Sequence, residues 1–324
     1  MSSRSWKSFL VAVRDIDHPP RALLTKAARI AARYGGRLEL LHVIALPYVV
    51  PGAVGESEAT KQAEVERAAA KLERMATRLR NTGIKVSCSA TWDYPAADAI
   101  VRHVIKTKPD VVFAESHHHG KLSRWFVAHT DWELIRACPC PLWLVKTGKQ
   151  VDAPRVLAAI DPFHGHAKPA ALDDELLRIA GIAAGSKGRV GAAHVYPLPI
   201  TIVPSGLGEP VWVAASPAEL KRTKRRVAQV VDKVAGRHDI KRPDRIVELG
   251  DAGSDLPVMV KRWKASLLVM GAVSRSALKR AFIGSTAERV IDGVHCDVLI
   301  VKPRAFKTYV SRKPSPTVVP IPPL

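Results

Sequence analysis

The chain is poor in cysteine, with four in 324 residues. That is too few for a disulfide framework at this length. Cys138 and Cys140 flank one proline, and Cys88 and Cys296 stand alone, so no paired CxxC of a structural zinc site exists. Free thiols suit a reducing compartment, and a cytoplasmic protein is expected. No apolar run approaches the length of a membrane-spanning helix. The N-terminal apolar segment Phe9–Val13 is short and runs straight into Arg14 and Asp15, so it reads as a strand and not as a signal peptide. Catalytic signatures are missing too. There is no GxSxG elbow, no HExxH and no Walker-type lysine after a glycine loop. No carboxylate pair stands out as general acid and base. No catalytic residue is assigned, and any turnover is expected to be slow.

Acidic residues are scarce beside basic ones: 30 Asp and Glu face 50 Lys and Arg, for a formal charge of +20. Such a balance raises nucleic acid, nucleotide and other anions as partners. The excess is not gathered in one place. Residues 1–150 hold 23 basic against 14 acidic side chains, and the remainder 27 against 16. A basic solvated surface accounts for an even spread of this kind.

What is present is a pattern that occurs twice. Phe9–Val13, Leu38–Ile44, Ile84–Ala90, Val111–Ala114 and Leu142–Val145 are short apolar runs typical of buried parallel strands. Helical stretches separate them. One opens at Pro19-Pro20 and ends at Gly35-Gly36. Another carries Val65, Ala68, Leu72, Met75 and Leu79 at steps of three and four. Ala96–Ile105 and Asp131–Ala137 supply two more. A polar connector at Lys146–Pro154 follows, and then the series restarts. Strands are predicted at Val156–Ile160, Gly191–Tyr196, Arg245–Leu249 and Leu267–Met270, with helices at Ala170–Ala183 and Leu256–Trp263. Ser216-Pro217-Ala218-Glu219 is a capping box that should launch a further helix. His42-Val43 aligns with His194-Val195, and Thr130 and Val145-Lys146 with Thr286 and Val301-Lys302. The chain is a duplication. Alternating strands and helices predict a doubly wound α/β sheet, because right-handed crossovers place helices on both faces. After Pro303 a proline-rich tail is expected to be extended or disordered.

The chemically richest stretch is Leu267–Lys302. An apolar run is released by Gly271, a basic loop follows, and Gly284-Ser285-Thr286 opens a helix. Backbone amides at such a helix start can hold phosphate. The order Gly271, two residues, Ser274, nine residues, Gly284-Ser285 resembles the G-x2-G-x9-G-[S/T] motif of ATP-binding members of the universal stress protein family. Ser274 stands where that motif has its middle glycine. Serine there is strained by about 1 kcal/mol or more if the position needs a positive φ, and is at ease if the position only needs to be small.

The resemblance spans roughly residues 6–303 and points to the tandem form, as in the E-type bacterial members. It implies two domains, 6–147 and 154–303, with a Pro-rich tail at 304–324. Each domain would be a five-stranded, doubly wound sheet of the adenine nucleotide alpha hydrolase kind. The two would pack as an intramolecular pseudo-dimer through their last strands, near Val145 and Val301, with a further homodimer left open. The resemblance also implies ATP, in the second domain only. Asp161 would sit against the nucleoside and the Val195 backbone would meet the adenine, while Gly271, Ser274, Gly284, Ser285 and Thr286 would hold the phosphates. In the first domain the positions of Asp161, Gly271, Ser274, Gly284 and Ser285 are filled by Arg14, Glu115, His118, Ala128 and His129. A carboxylate in place of the first glycine would repel phosphate, so this half should not bind ATP in the family manner.

Other features have simpler readings. His117-His118-His119, with His129 near in sequence, offers at most two adjacent ligands on one side of an extended segment, and reads as a polar loop, with no metal site assigned. Cys138-Pro139-Cys140 reads as packing before a strand. Lys221, Arg222, Lys224, Arg225 and Arg226 read as a solvated helix face. Lys279-Arg280 in the glycine loop would add to phosphate attraction. Asp161 and Asp255 could hold a metal–nucleotide, though nothing positions an attacking water. The alternative to nucleotide binding is a nucleotide-free scaffold that meets anions or nucleic acid through its basic surface. The protein partner is not specified by the sequence.

Overall fold

A computed structural model describes residues 5–45, 58–116, 129–146, 151–163, 171–203, 211–272 and 284–314. Contacts divide the chain into two compact units. The first gathers residues 1–150 and the C-terminal stretch Asp297–Leu324; the second gathers Val151–Arg275 and Gly284–Cys296.

In the first unit the order is β1 (Ser8–Ala12), α1 (Arg21–Arg33), β2 (Arg37–Ile44), α2 (Glu58–Arg80), β3 (Lys85–Trp92), α3 (Ala96–Thr107), β4 (Val111–Glu115), α4 (His129–Ala137) and β5 (Leu142–Val145). The strands lie in the order β3-β2-β1-β4-β5, all parallel. Strand order reverses between β1 and β4, as the doubly wound pattern demands. The last strand of the chain, β12 (Asp297–Val301), joins this unit antiparallel to β5, with Val298 opposite Leu144 and Ile300 opposite Leu142. The apolar runs read from the sequence are the buried strands: Phe9, Leu10, Val111, Val112, Phe113 and Leu142 are at most 1% exposed.

The scarce aromatic residues are concentrated here. Trp6, Phe9, Phe113 and Trp143 form a continuous cluster with ring centroids 5.3 to 6.5 Å apart. Each ring removed from water contributes roughly 1.5–3 kcal/mol. The described part of the tail makes contacts of its own. Lys302–Pro314 has no helix or strand, yet Val310 is buried and the Tyr309 hydroxyl donates to Glu133 at 2.8 Å. The apolar Val310 inside the proline-rich stretch gives it something to bury.

The second unit repeats the plan. It holds β6 (Arg155–Ala159), α5 (Ala171–Ala184), β7 (Arg189–Tyr196), a hairpin of β8 (Ile200–Val203) and β9 (Val211–Ala214), α6 (Pro217–Gly236), β10 (Arg245–Leu249), α7 (Ala252–Arg262), β11 (Leu267–Gly271) and α8 (Ser285–Gly293). Its parallel strands lie in the order β10-β7-β6-β11, again reversing beside the first strand of the series. The capping box at α6 is formed: Glu219 N–H donates to Ser216 Oγ at 3.3 Å and Ser216 N–H to Glu219 Oε2 at 2.7 Å. Gly271 is the last residue of its strand. It is buried, and the chain leaves the strand one residue later.

The turn from α5 into β7 depends on Gly188. A Cβ there would lie 2.4 Å from the Ala184 carbonyl oxygen and 2.7 Å from that of Pro154. Both are backbone atoms that cannot step aside. Gly188→Ala is expected to cost about 1–3 kcal/mol by overpacking, read as a lower urea midpoint. A midpoint equal to the parent's would show that the turn relaxes freely.

Candidate functional site

Parallel strands β7, β6 and β11 bring the ends of three segments to one edge of the second unit's sheet. Ala159 pairs with Met270 on one side and Ala193 on the other. Asp161, Gly271 and Val195 follow within two residues of these positions, so the fold assembles three of the sequence-predicted residues at the carboxyl edge. This is the switch point, where an open α/β sheet leaves a crevice.

Each residue is held there by local chemistry. His194, 4% exposed, has Nδ1 3.0 Å from the Ile160 carbonyl and so ties the end of β6 to β7. The first unit contains the same device: His42 Nδ1 lies 2.8 Å from the Val13 carbonyl. Asp161 N–H donates to Asp173 Oδ1 at 3.0 Å. Asp173, on the first turn of α5, is 3% exposed. Asp161 Oδ2 is buried and has no hydrogen-bond partner among the described residues. A buried acceptor without a partner costs about 1–3 kcal/mol, so it is suited to receive a donor from a ligand. Val195 lies opposite Glu248 of β10. Phe163 is 40% exposed, and its ring centroid is 5.7 Å from that of His194.

The helix start behaves differently from its neighbours. The α6 N-terminus is closed by Ser216 and Glu219. The α7 N-terminus is closed by Asp251, which accepts from Ser254 N–H at 3.1 Å, while Asp255 Oδ2 accepts from Asp251 N–H at 2.7 Å. Asp255 is thereby used in capping. By contrast α8 begins at Gly284 with no side-chain cap. Gly284 has φ 97°, and none of the described residues lies within 4 Å of where its Cβ would be. Gly284 and Ser285 are exposed and Thr286 is half-buried. No side chain among the described residues caps the first N–H groups of α8, which lie at the positive end of the helix dipole. Arg289 on the same helix is engaged elsewhere: its guanidinium pairs with Asp251 at 2.8 Å and holds that carboxyl below the usual range.

Ser274, His117–His119 and Lys279-Arg280 lie outside the described residues, as do the side chain of His129 and all of His118 and Ala128. In the first unit, Arg14 is exposed and Glu115 ends β4, at the positions of Asp161 and Gly271. Among the described residues, no group of three or more His, Cys, Asp and Glu side chains could hold a metal ion. Sequence reasoning missed Asp173 and Phe163. An acidic residue in the first turn of an apolar helix looks like a dipole partner, and only the fold shows that Asp173 is buried. Phe163 gave no periodic signal.

The fold defines a tandem doubly wound α/β protein, one half of which starts α8 at Gly284 without a side-chain cap among the described residues. The universal stress protein family model matches residues 5–146 and again residues 154–302, and the chain belongs to that family, in its tandem form. It is 25% identical over 307 residues to universal stress protein E of Escherichia coli (strain K12), covering 92% of this chain and 95% of that one. Universal stress protein E of Photorhabdus laumondii is 26% identical over 310 residues, covering 92% and 96%. Among solved structures, a universal stress protein from Archaeoglobus fulgidus superposes with a TM-score of 0.61 at 17% identity, covering 92% and 97%. A functionally unknown protein from Pseudomonas aeruginosa PAO1 does so with a TM-score of 0.64 at 21% identity, covering 91% and 92%. No helix among the described residues is long and apolar enough to cross a membrane.

Proposed function

We propose that this is a cytoplasmic stress-response binding protein whose second domain, residues 154–303, holds ATP or a related adenine nucleotide. The observation that carries the reading is the uncapped start of α8 at Gly284, with a positive φ and none of the described residues within 4 Å of its Cβ position. Phosphate oxygens would accept from the N–H groups there, with Ser285 and Thr286 adding hydroxyls. Asp161 Oδ2 supports the fit, as a buried acceptor matching a ribose hydroxyl donor. Phe163 offers an exposed ring on which a base could rest. The residues present thus suit an adenine nucleotide, and nothing among them suits rapid turnover. Four cysteines outside any disulfide agree with a reducing compartment. Residues 6–147, with Arg14 and Glu115 in the corresponding places, keep the fold without the site.

Calorimetric titration of the intact chain with ATP is expected to give one nucleotide per chain. Two would mean that the first domain also binds; none would overturn the reading. A second reading is favoured by α6, where Lys221, Arg222, Lys224, Arg225 and Arg226 are all exposed. Strong salt-dependent binding to nucleic acid, with no response to ATP, would select it.

A further inference from the structure

Cys138 and Cys140 lie between the end of α4 and the start of β5, with their sulfurs 3.7 Å apart. Both are free. Cys138 is 1% exposed, while Cys140 is half-buried. Several neighbouring groups stabilise negative charge at Cys138. The Cys140 thiol and the Cys140 N–H donate to its sulfur, and the Lys302 ammonium attracts it. These hold the Cys138 thiol below its usual range, and the Cys140 thiol, which keeps the shared proton, well above it. Lys302 is 9% exposed, with Nζ 5.0 Å from the centre of the Phe306 ring.

The other thiols are placed otherwise. Cys88 is pushed up to about 12 by burial and by the Glu73 carboxylate beside it. A thiol of that kind holds almost no thiolate at neutral pH. Cys296 is buried, 8% exposed, at the end of the loop before β12. Reactivity toward oxidants follows thiolate character and access, so the pair stands apart from both.

We propose that Cys138 and Cys140 form a peroxide-oxidised dithiol site, whose two sulfurs close to a disulfide. The oxidant is hydrogen peroxide, small enough to enter beside the half-buried Cys140. The Cys138 thiolate attacks one peroxide oxygen, the O–O bond breaks, and hydroxide leaves. The sulfenic acid so formed on Cys138 is attacked by the Cys140 sulfur, and water leaves with the Cys140 proton. The two thiols give up two electrons in all, and one peroxide becomes two waters. The sulfurs need only approach from 3.7 Å to a bond length of about 2 Å.

The test treats the full chain with hydrogen peroxide, caps the remaining thiols with N-ethylmaleimide, and maps peptides without reduction. The expected result is a disulfide between Cys138 and Cys140, with Cys88 and Cys296 capped as free thiols. Lys302→Met is expected to slow bond formation roughly fivefold by lowering the thiolate fraction. Cys140→Ala is expected to leave a sulfenic acid on Cys138 that dimedone traps. Oxidation confined to Cys88 or Cys296 would overturn the proposal, and so would Cys138 and Cys140 both remaining capped after treatment. The peptide map of the parent chain is decisive even if a variant fails to fold.

Discussion

Asp297→Ala is expected to destabilise the first unit by about 3–5 kcal/mol, the usual cost of breaking a buried charge network by removing one partner. Asp297 is 1% exposed and accepts hydrogen bonds from Lys26, Trp143 and Lys146. Lys26 Nζ of α1 donates to Oδ2 at 2.6 Å, and Trp143 Nε1 of β5 donates to the same oxygen at 2.9 Å. Lys146 N–H donates to Oδ1 at 3.0 Å. One carboxylate thereby ties a helix, a strand and the following connector to the first residue of β12. Lys26 is only 6% exposed, so its ammonium would lose this carboxylate without gaining water. Urea denaturation followed by tryptophan fluorescence should show the midpoint fall by about 1–2 M. The double variant Lys26→Met, Asp297→Leu should cost less than the sum of its single changes, since apolar side chains of similar volume often replace a buried pair at little cost. A loss below about 1 kcal/mol for Asp297→Ala would mean that solvent reaches the network.

This network also marks where the sequence stops being legible. Lys26 and Asp297 are 271 residues apart, and the position that matches Asp297 in the first half is Pro141. Neither periodicity nor the repeat could pair them. The strands were readable because strands buried on both faces are written as continuous apolar runs, such as Val111–Ala114 and Leu267–Met270. The hairpin of β8 and β9 was not readable, because its strands are four residues long and separated by a stretch of Pro and Gly that resembles a loop. At the site, the duplication pointed to Asp161, Gly271 and Gly284 by showing what the other half had replaced. It could not reveal that Asp173 takes the Asp161 N–H, or that α8 alone of the helices α6, α7 and α8 begins without a side-chain cap. Those depend on distances that no spacing encodes.

Gly284→Glu is expected to weaken ATP binding at least about 100-fold, or roughly 2.7 kcal/mol, while leaving the fold intact. The geometry separates the two effects. None of the described residues lies within 4 Å of a Cβ at this position, so a Cβ there meets no steric obstacle among them. The backbone is at φ 97°, which a side chain adopts only with strain of about 1–2 kcal/mol. A carboxylate at the start of α8 would recover about 0.3–1 kcal/mol of that through the helix dipole. The same carboxylate would take the place of the phosphates at the α8 N–H groups and repel what charge it did not displace. Gly284→Ala provides the control, since it carries the strain without the charge. It should weaken binding far less than Gly284→Glu, and the two variants should unfold at similar urea concentrations. If the glutamate variant binds ATP as the parent does, the phosphates do not lie at the start of α8, and the uncapped helix serves some other end. If alanine is as damaging as glutamate, the positive φ of Gly284 matters more than the field at the helix start, and the loop conformation carries the affinity.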